Sequence, residues 1–341
     1  MDVSLTINEY NNLRFKQLPW IEKYRPKTIN EVILADNLKQ KAAQFIKKNV
    51  IQNLILTGPP GIGKTTSIRC IARGLYGKYY NSCVLELNAS DDRGIKSVQD
   101  AIIKFCKYIN PYKKEDMNKY CKHKLIILDE SDNMMEKAQY QINTLMEKYS
   151  NNIRFAFTCN SSSDIIEAIQ SRCLILRYTR LTNLQIFTRL EELCIIEKLK
   201  YEKIAIEQIA EMSRGDMRGS INILQLVHNK HNAIKLEYIK DICDIPQSII
   251  IKNIFNYCIS SQLNLAIKLM LQLKNEGYSG SDITLSMIYT LKSELCNDIP
   301  ESLKIKMLYK ICNSTYYISK TIDTNLQLMS CLAELSLINM Q

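Results

Sequence analysis

The sequence predicts an α/β protein in which a parallel sheet with helices on both faces is followed by wholly helical chain. Three observations predict it. Five short apolar runs alternate with segments of helical period between residues 53 and 178, the pattern of strands buried on both faces. The first run leads directly into Gly58-Pro59-Pro60-Gly61-Ile62-Gly63-Lys64-Thr65, which fits the phosphate-binding loop pattern. Beyond Thr179 the strand pattern vanishes.

Residues 1–18 are polar and Asn-rich and read as an N-terminal arm. Pro19-Trp20-Ile21-Glu22-Lys23-Tyr24-Arg25-Pro26 reads as extended, because Pro26 biases Arg25 away from helix. Trp20, the only tryptophan, is either a packing anchor or part of a segment lying over a nucleotide base, with Tyr24, Arg25 and Pro26 as the flat surface. Leu38, Ala42, Phe45 and Ile46 recur at helical spacing over 35–48, and a strand over 53–57 enters the loop. Further strands are expected at 83–88, 124–128, 153–158 and 174–178, with helices at 65–75, 95–108, 136–149 and 164–170. Ligands in such sheets bind at the carboxyl ends of the strands, so Thr57-Gly58, Asp129-Glu130 and Thr158-Cys159-Asn160 converge on one edge. Helices at 182–198, 202–213 and 216–227 suggest a small helical domain over 180–244. Pro246 marks a boundary, and 245–341 reads as helices broken at Gly277-Tyr278-Ser279-Gly280 and 297–300.

At 341 residues the chain is long enough for two or three domains. A hydrophobic fraction of 46% with 23% charged residues excludes wholesale disorder. No apolar run of membrane-spanning length occurs, so no membrane association is expected. The net charge of +10 permits a polyanionic partner. Twelve cysteines include no Cys-x-x-Cys pair, and most sit in apolar runs, which favours reduced buried thiols over zinc or a disulfide framework.

The chemistry suggested is nucleotide hydrolysis. Glycines let backbone amides turn toward an anion, and the helix N-terminus adds partial positive charge. Lys64 would neutralise phosphates and Thr65 hold Mg²⁺. Asp129 stands where a strand-end carboxylate binds Mg²⁺; Glu130 could orient or deprotonate water; Asn160 could hold that water or the γ-phosphate. Arg172 and Arg218 are the candidate cations for transition-state charge. No nucleophile with a partnered histidine is evident.

Together Trp-Ile-Glu-Lys-Tyr-Arg-Pro, Gly-Pro-Pro-Gly-Ile-Gly-Lys-Thr, Glu-Leu-Asn-Ala-Ser-Asp-Asp-Arg-Gly-Ile, Leu-Asp-Glu-Ser-Asp-Asn-Met, Thr-Cys-Asn, Ser-Arg-Cys and Gly-Asp-Met-Arg resemble, in this order, the AAA+ ATPases. Within them the resemblance is to the small subunits of replication factor C, the eukaryotic sliding-clamp loader, nearest to the one counted second in the animal complex. It implies an N-terminal arm (1–18), an AAA+ P-loop sheet domain (19–179), a helical lid (180–244) and an all-α collar (245–341). It also implies a nuclear, ATP- and Mg²⁺-dependent ATPase in a heteropentamer with the large subunit and three other small subunits. Such a complex loads the sliding clamp PCNA onto primer-template DNA for replication and repair. Only eighteen residues precede Pro19, which argues against the large subunit.

The loop pattern and the resemblance together assign Gly58, Pro59, Pro60, Gly61, Ile62, Gly63, Lys64, Thr65 and Thr66 to the nucleotide, and the reading of the extended segment adds Tyr24, Arg25 and Pro26. Thr65 and Asp129 serve Mg²⁺, Glu130 and Asn160 catalysis, Arg172 a finger acting in trans, and Arg218 the second sensor. Arg93 and Lys96 are placed against DNA phosphates, and Ile102 and Phe105 against the clamp, although both pairs also suit surface and core. Ser131 departs from the usual Ala of Asp-Glu-Ala-Asp, and Gly219-Ser220 replaces bulkier residues. The alternatives are a non-hydrolysing subunit that only donates Arg172, or another AAA+ DNA motor such as a branch-migration helicase.

Overall fold

The computed structural model describes residues 18–89, 95–107, 119–240, 248–320 and 324–338, and the chain divides into two compact units, 1–242 and 243–341. The first opens on a single helical turn, α1 (Trp20–Lys23), where the sequence suggests extended chain. The restriction imposed by Pro26 falls on Arg25, beyond the end of that turn, and Pro19 accepts the first helical hydrogen bonds from Glu22 and Lys23 at 2.9 Å. One turn is too short to show a period.

Helix α2 (Asp36–Lys48) buries Leu38 and Ala42 and stops where Asn49 turns left-handed at φ 51°. Strand β1 (Leu54–Thr57), buried at every residue, runs through the loop into α3 (Lys64–Tyr76). The turn α4 (Tyr80–Cys83) delivers the chain to β2 (Val84–Asn88). Then α5 (Ile95–Lys107), β3 (Lys124–Asp129), α6 (Glu136–Lys148), β4 (Ile153–Cys159), α7 (Glu167–Gln170) and β5 (Leu174–Arg177) complete the alternation.

The five strands are parallel in the order β2-β3-β4-β1-β5. Successive strand residues feed opposite layers, as the two-residue period requires. Leu54, Leu56, Leu125 and Ile127 join Ile68, Ile71 and Leu75 of α3. Ile55, Ile126 and Leu128 join Ile102 of α5 with Ile142 and Met146 of α6. The register pairs Thr57 with Cys159, Asn88 with Asp129 and Leu128 with Phe157, so the carboxyl ends of four strands finish within one residue of one another.

A capping box between Thr182 and Gln185 starts α8 (Asn183–Ile196). Strand β6 (Lys200–Tyr201), α9 (Lys203–Met212), α10 (Met217–His231), β7 (Ala233–Ile234) and α11 (Leu236–Lys240) follow. The parallel β6–β7 pair was not expected from the sequence; two-residue strands carry no alternation to detect. These helices bury Leu190, Ile206, Ile209 and Leu224. They belong to the same compact unit as the sheet, and Pro246 lies outside the described residues.

The second unit consists of α12 (Ser248–Ile259), α13 (Leu263–Asn275), α14 (Gly280–Lys292), α15 (Glu301–Lys320) and α16 (Asn325–Leu337). The break read at 277–280 is the entry to α14, where Ser279 and Asp282 form a capping box. Phe255, Met270, Met287, Ile311 and Leu332 share its core. Among the described cysteines Cys312 is exposed, Cys173 half-buried and the rest buried, all as free thiols. Phe255 is fully buried, so Phe255→Ala is expected to lower the unfolding free energy of its unit by about 3–5 kcal/mol in denaturant titration.

Candidate nucleotide-binding site

The phosphate loop turns on three glycines with positive φ, of which Gly58 and Gly61 show why glycine is required. A Cβ on Gly58 would lie 2.4 Å from the Tyr178 carbonyl, and one on Gly61 would lie 1.6 Å from Asp216 Oδ1. The loop ends at Gly63, the N-cap of α3, leaving the first amides of a thirteen-residue helix facing the cavity. Lys64, first in that helix, folds back to donate to the carbonyls of Gly58 and Pro59 (2.8 Å to Pro59) and to Asn160 Oδ1 at 3.0 Å. Burial pushes the Lys64 pKa down, with Arg218 adding to the effect and Asp132 and Asp129 opposing it.

Asp129 is the hub of the polar end. Its Oδ1 accepts from Thr65 Oγ1 at 2.9 Å, from Thr158 Oγ1 and from the Glu130 amide at 3.2 Å. Three separate elements, β3, β4 and α3, are thereby fixed to one oxygen. Glu130 stands in the left-handed region at φ 54°, a conformation costing a non-glycine residue about 1–3 kcal/mol. Its amide, bonded also to Thr158 Oγ1 at 3.3 Å, helps hold it there. Ser131 is fully buried, and its hydroxyl is satisfied by donating to the Leu128 carbonyl at 2.8 Å, so the departure from alanine leaves no unpaired group. Asn160 is fixed from both sides. Its amide donates to Asp132 Oδ2 at 3.0 Å, and its carbonyl accepts from Thr57 Oγ1 at 3.3 Å.

Pro60, Gly61, Ile62, Gly63, Lys64, Thr65, Thr66, Asp129, Glu130 and Asn160 line a cavity of about 340 Å³, whereas Gly58, Pro59 and Ser131 are not on its walls. Ile21, Tyr24, Arg25, Pro26, Val32, Ile33, Leu181 and Ile221 also line it. Tyr24, Arg25 and Pro26 therefore share a cavity with the phosphate loop, while Trp20 is a packing anchor. Trp20 is buried, its amide donates to Gln225 Oε1 at 2.9 Å, and its ring stacks on His228 at 5.5 Å. Asp216 caps α10 by accepting from the amides of Arg218 (2.8 Å) and Gly219 (3.1 Å), and the Met217 amide donates to the Gly61 carbonyl at 3.2 Å. Arg218, the residue after Met217, lines the cavity. Burial, then the charges of Arg69 and Arg218, lower the Arg25 pKa, yet a guanidinium keeps its charge at neutral pH. The cavity walls carry Lys64, Arg25, Arg189 and Arg218 together with the carboxylates Glu31, Asp129, Glu130 and Asp132, a mixture that suits a polyanion only when a cation accompanies it.

Oxygen donors at Thr65 and Asp129 fit a hard cation such as Mg²⁺, which is bound by one or two carboxylates plus phosphate oxygens rather than by an all-protein cage. Asp132 Oδ1, buried at the same cavity, has no hydrogen-bond partner among the described residues. No cluster of three metal-ligating side chains occurs among the described residues.

Other expectations fall elsewhere. Arg172 does not line the cavity; it is exposed, bonded to the Ala168 carbonyl at 2.8 Å and paired with Glu147. Ile102 is fully buried in the layer between α5 and the sheet, so its assignment to a clamp contact is corrected: the apolar face it belongs to is already covered. Phe105 is half-buried, its ring 4.7 Å from Lys124 Nζ, which also donates to its carbonyl. Arg93 and the side chain of Lys96 lie outside the described residues. Glu31, Val32, Ile33, Asp132 and Arg189 line the cavity without having been singled out in the sequence. Asp132 carries a signal, three residues after Asp129; Arg189 has no local signature.

The fold and site define a P-loop ATPase of the AAA class. Residues 54–181 match the ATPase family associated with various cellular activities (AAA), and residues 246–334 the replication factor C C-terminal domain. A probable replication factor C subunit 2 of Dictyostelium discoideum is 40% identical over 95% of this chain and 94% of its own length. A putative replication factor C small subunit of Acanthamoeba polyphaga mimivirus is 38% identical over 93% of this chain and 96% of its own. The chain belongs to the replication factor C small-subunit family. The RuvB Holliday junction branch migration motor of Thermotoga maritima shares the fold, with a TM-score of 0.53 and 18% identity over 72% of this chain and 85% of that one.

Two outcomes follow from the loop. Because burial lowers the Lys64 pKa, the cationic form is lost at lower pH than for a solvated lysine. ATP affinity is therefore expected to fall on the alkaline side, with proton uptake on binding, read by calorimetry in buffers of different ionisation enthalpy. Gly61→Ala places a Cβ on the Asp216 carboxylate and is expected to weaken nucleotide binding about tenfold, ~1.4 kcal/mol, in the same titration.

Proposed function

We propose that the chain is an ATP-hydrolysing subunit of a clamp loader that opens the sliding clamp PCNA and places it on primer-template DNA in the nucleus. The observation that carries the reading is the convergence of Lys64, Asp129, Glu130, Asn160 and Arg218 on one cavity. Membership of the replication factor C family supports the assembly. Bound ATP with Mg²⁺ would supply the phosphoryl group and the charge that neutralises it.

The chain's own residues divide the remaining work. Lys64 and the α3 amides hold the phosphates, and Thr65 and Asp129 hold the metal. Glu130, aligned at the cavity by its fixed backbone, takes the proton of the attacking water, a role worth about 10²–10⁴-fold in rate. Asn160, tied to Lys64 at 3.0 Å, orients that water, and Arg218 reports the phosphate state to α10. Arg172, exposed and outside its own chain's cavity, serves the ATP of the neighbouring subunit. DNA would be gripped through its phosphates, with strong salt dependence and little sequence preference.

Glu130→Gln is expected to leave ATP binding intact while single-turnover hydrolysis falls by about 10²–10⁴; unchanged turnover at this subunit's site would refute the hydrolytic role. Arg172→Ala is expected to leave ATP affinity of the isolated chain unchanged and to slow hydrolysis of the assembled complex by about 10³–10⁵ at one site. Equal turnover by the isolated wild-type chain and the assembly would contradict that division.

A further inference from the structure

The segment that walls the base end of the cavity is held mainly by the helical region after β5, and one carboxylate does much of the holding. Glu197, at the C-cap of α8, accepts from Lys23 Nζ at 2.5 Å and from the Tyr24 hydroxyl through the same oxygen, Oε1. A carboxylate at a helix C-terminus faces the negative end of the helix dipole. Burial also works against its charge, yet the Lys23 and Tyr24 hydrogen bonds hold the Glu197 carboxyl below its usual range. The three side chains are largely shielded, Lys23 at 16% and Glu197 at 22% exposure. On the same segment Arg189 donates to the Tyr24 carbonyl at 3.3 Å. Two residues on, the chain is anchored to the sheet side instead, where Cys70 Sγ lies 3.3 Å from the Pro26 carbonyl.

Lys23 to Pro26 thus forms a strap that crosses from α8 to α3 over the base end of the cavity. Tyr24, Arg25 and Pro26 line the cavity, but Glu197 does not. We propose that Glu197 is a positioning residue for nucleotide recognition: it fixes Lys23 and Tyr24, and through them the wall that meets the base, without touching the nucleotide. This rests on the reading of the cavity as an ATP site and adds to it a device for coupling base occupancy to the position of α8. The phosphate end has its own supports at Gly61, Asp129 and Asn160, none of which involves Glu197.

The test compares ATP, ADP and inorganic tripolyphosphate binding to the full chain and to Glu197→Gln, with thermal unfolding recorded alongside. Glutamine keeps the volume and removes the charge. The variant is expected to bind ATP and ADP about tenfold more weakly, while tripolyphosphate affinity stays within twofold of wild type (~0.4 kcal/mol). Lys23→Met, made as a second route in case Glu197→Gln does not fold, is expected to give the same split, and the double variant a loss smaller than the sum of the two. Equal weakening of nucleotide and tripolyphosphate would overturn the proposal by showing a general effect on the cavity. Unchanged nucleotide affinity in both variants would overturn it as well. Failure of the wild-type chain to bind ATP would instead refute the nucleotide reading itself.

Discussion

A single oxygen, Asp129 Oδ1, organises the polar end of the molecule. It sits at the end of β3, accepts from Thr65 at the start of α3 and from Thr158 near the end of β4, and takes the amide of Glu130. Buried or half-buried carboxylates are stable only when their lone pairs are met by donors, and here one donor comes from α3 and another from β4, which the backbone ladder already joins to β3. The parallel register makes this possible, because it ends the central strands within one residue of one another. Removing that alignment by one residue would turn the carboxylate to the other face of the sheet.

The cavity is shared between sheet and helices rather than carved from either. Part of its lining comes from α3 and the loop, and part from Ile21, Tyr24, Arg25 and Pro26 with Arg189 of α8 and Met217, Arg218 and Ile221 of α10. Two close contacts join the halves: Gly61 against Asp216, where no side chain fits, and the Met217 amide on the Gly61 carbonyl. On the proposed reading, a polyphosphate held by Lys64 and reached by Arg218 would bear on α10 directly, through contacts that need no long chain of intermediates.

Much of the fold was legible in the sequence because its strands are continuous apolar runs and its loop has fixed spacing. Leu54-Ile55-Leu56 and Leu125-Ile126-Ile127-Leu128 admit few readings besides buried strands, and polar residues at their ends mark the ligand edge. What escaped was short or distant. The turn at Trp20–Lys23 and the β6–β7 pair are too brief to show a period. Arg189 and Glu197 act on a segment more than 160 residues earlier in the chain, and nothing in their own neighbourhoods announces it. Ile102 and Phe105 show the converse limit: a helical stripe of apolar residues does not say which of them the sheet covers, and the sheet covers Ile102.

On the proposed reading, one nucleotide would engage loop, strand end, strap and helices as a unit. Hydrogen–deuterium exchange of the full chain across an ATP titration tests it most directly. Amides at 58–66, 129–130, 20–26 and 216–219 are expected to gain protection with one shared concentration dependence. Protection confined to 58–66, with the strap and the start of α10 exchanging as before, would contradict it.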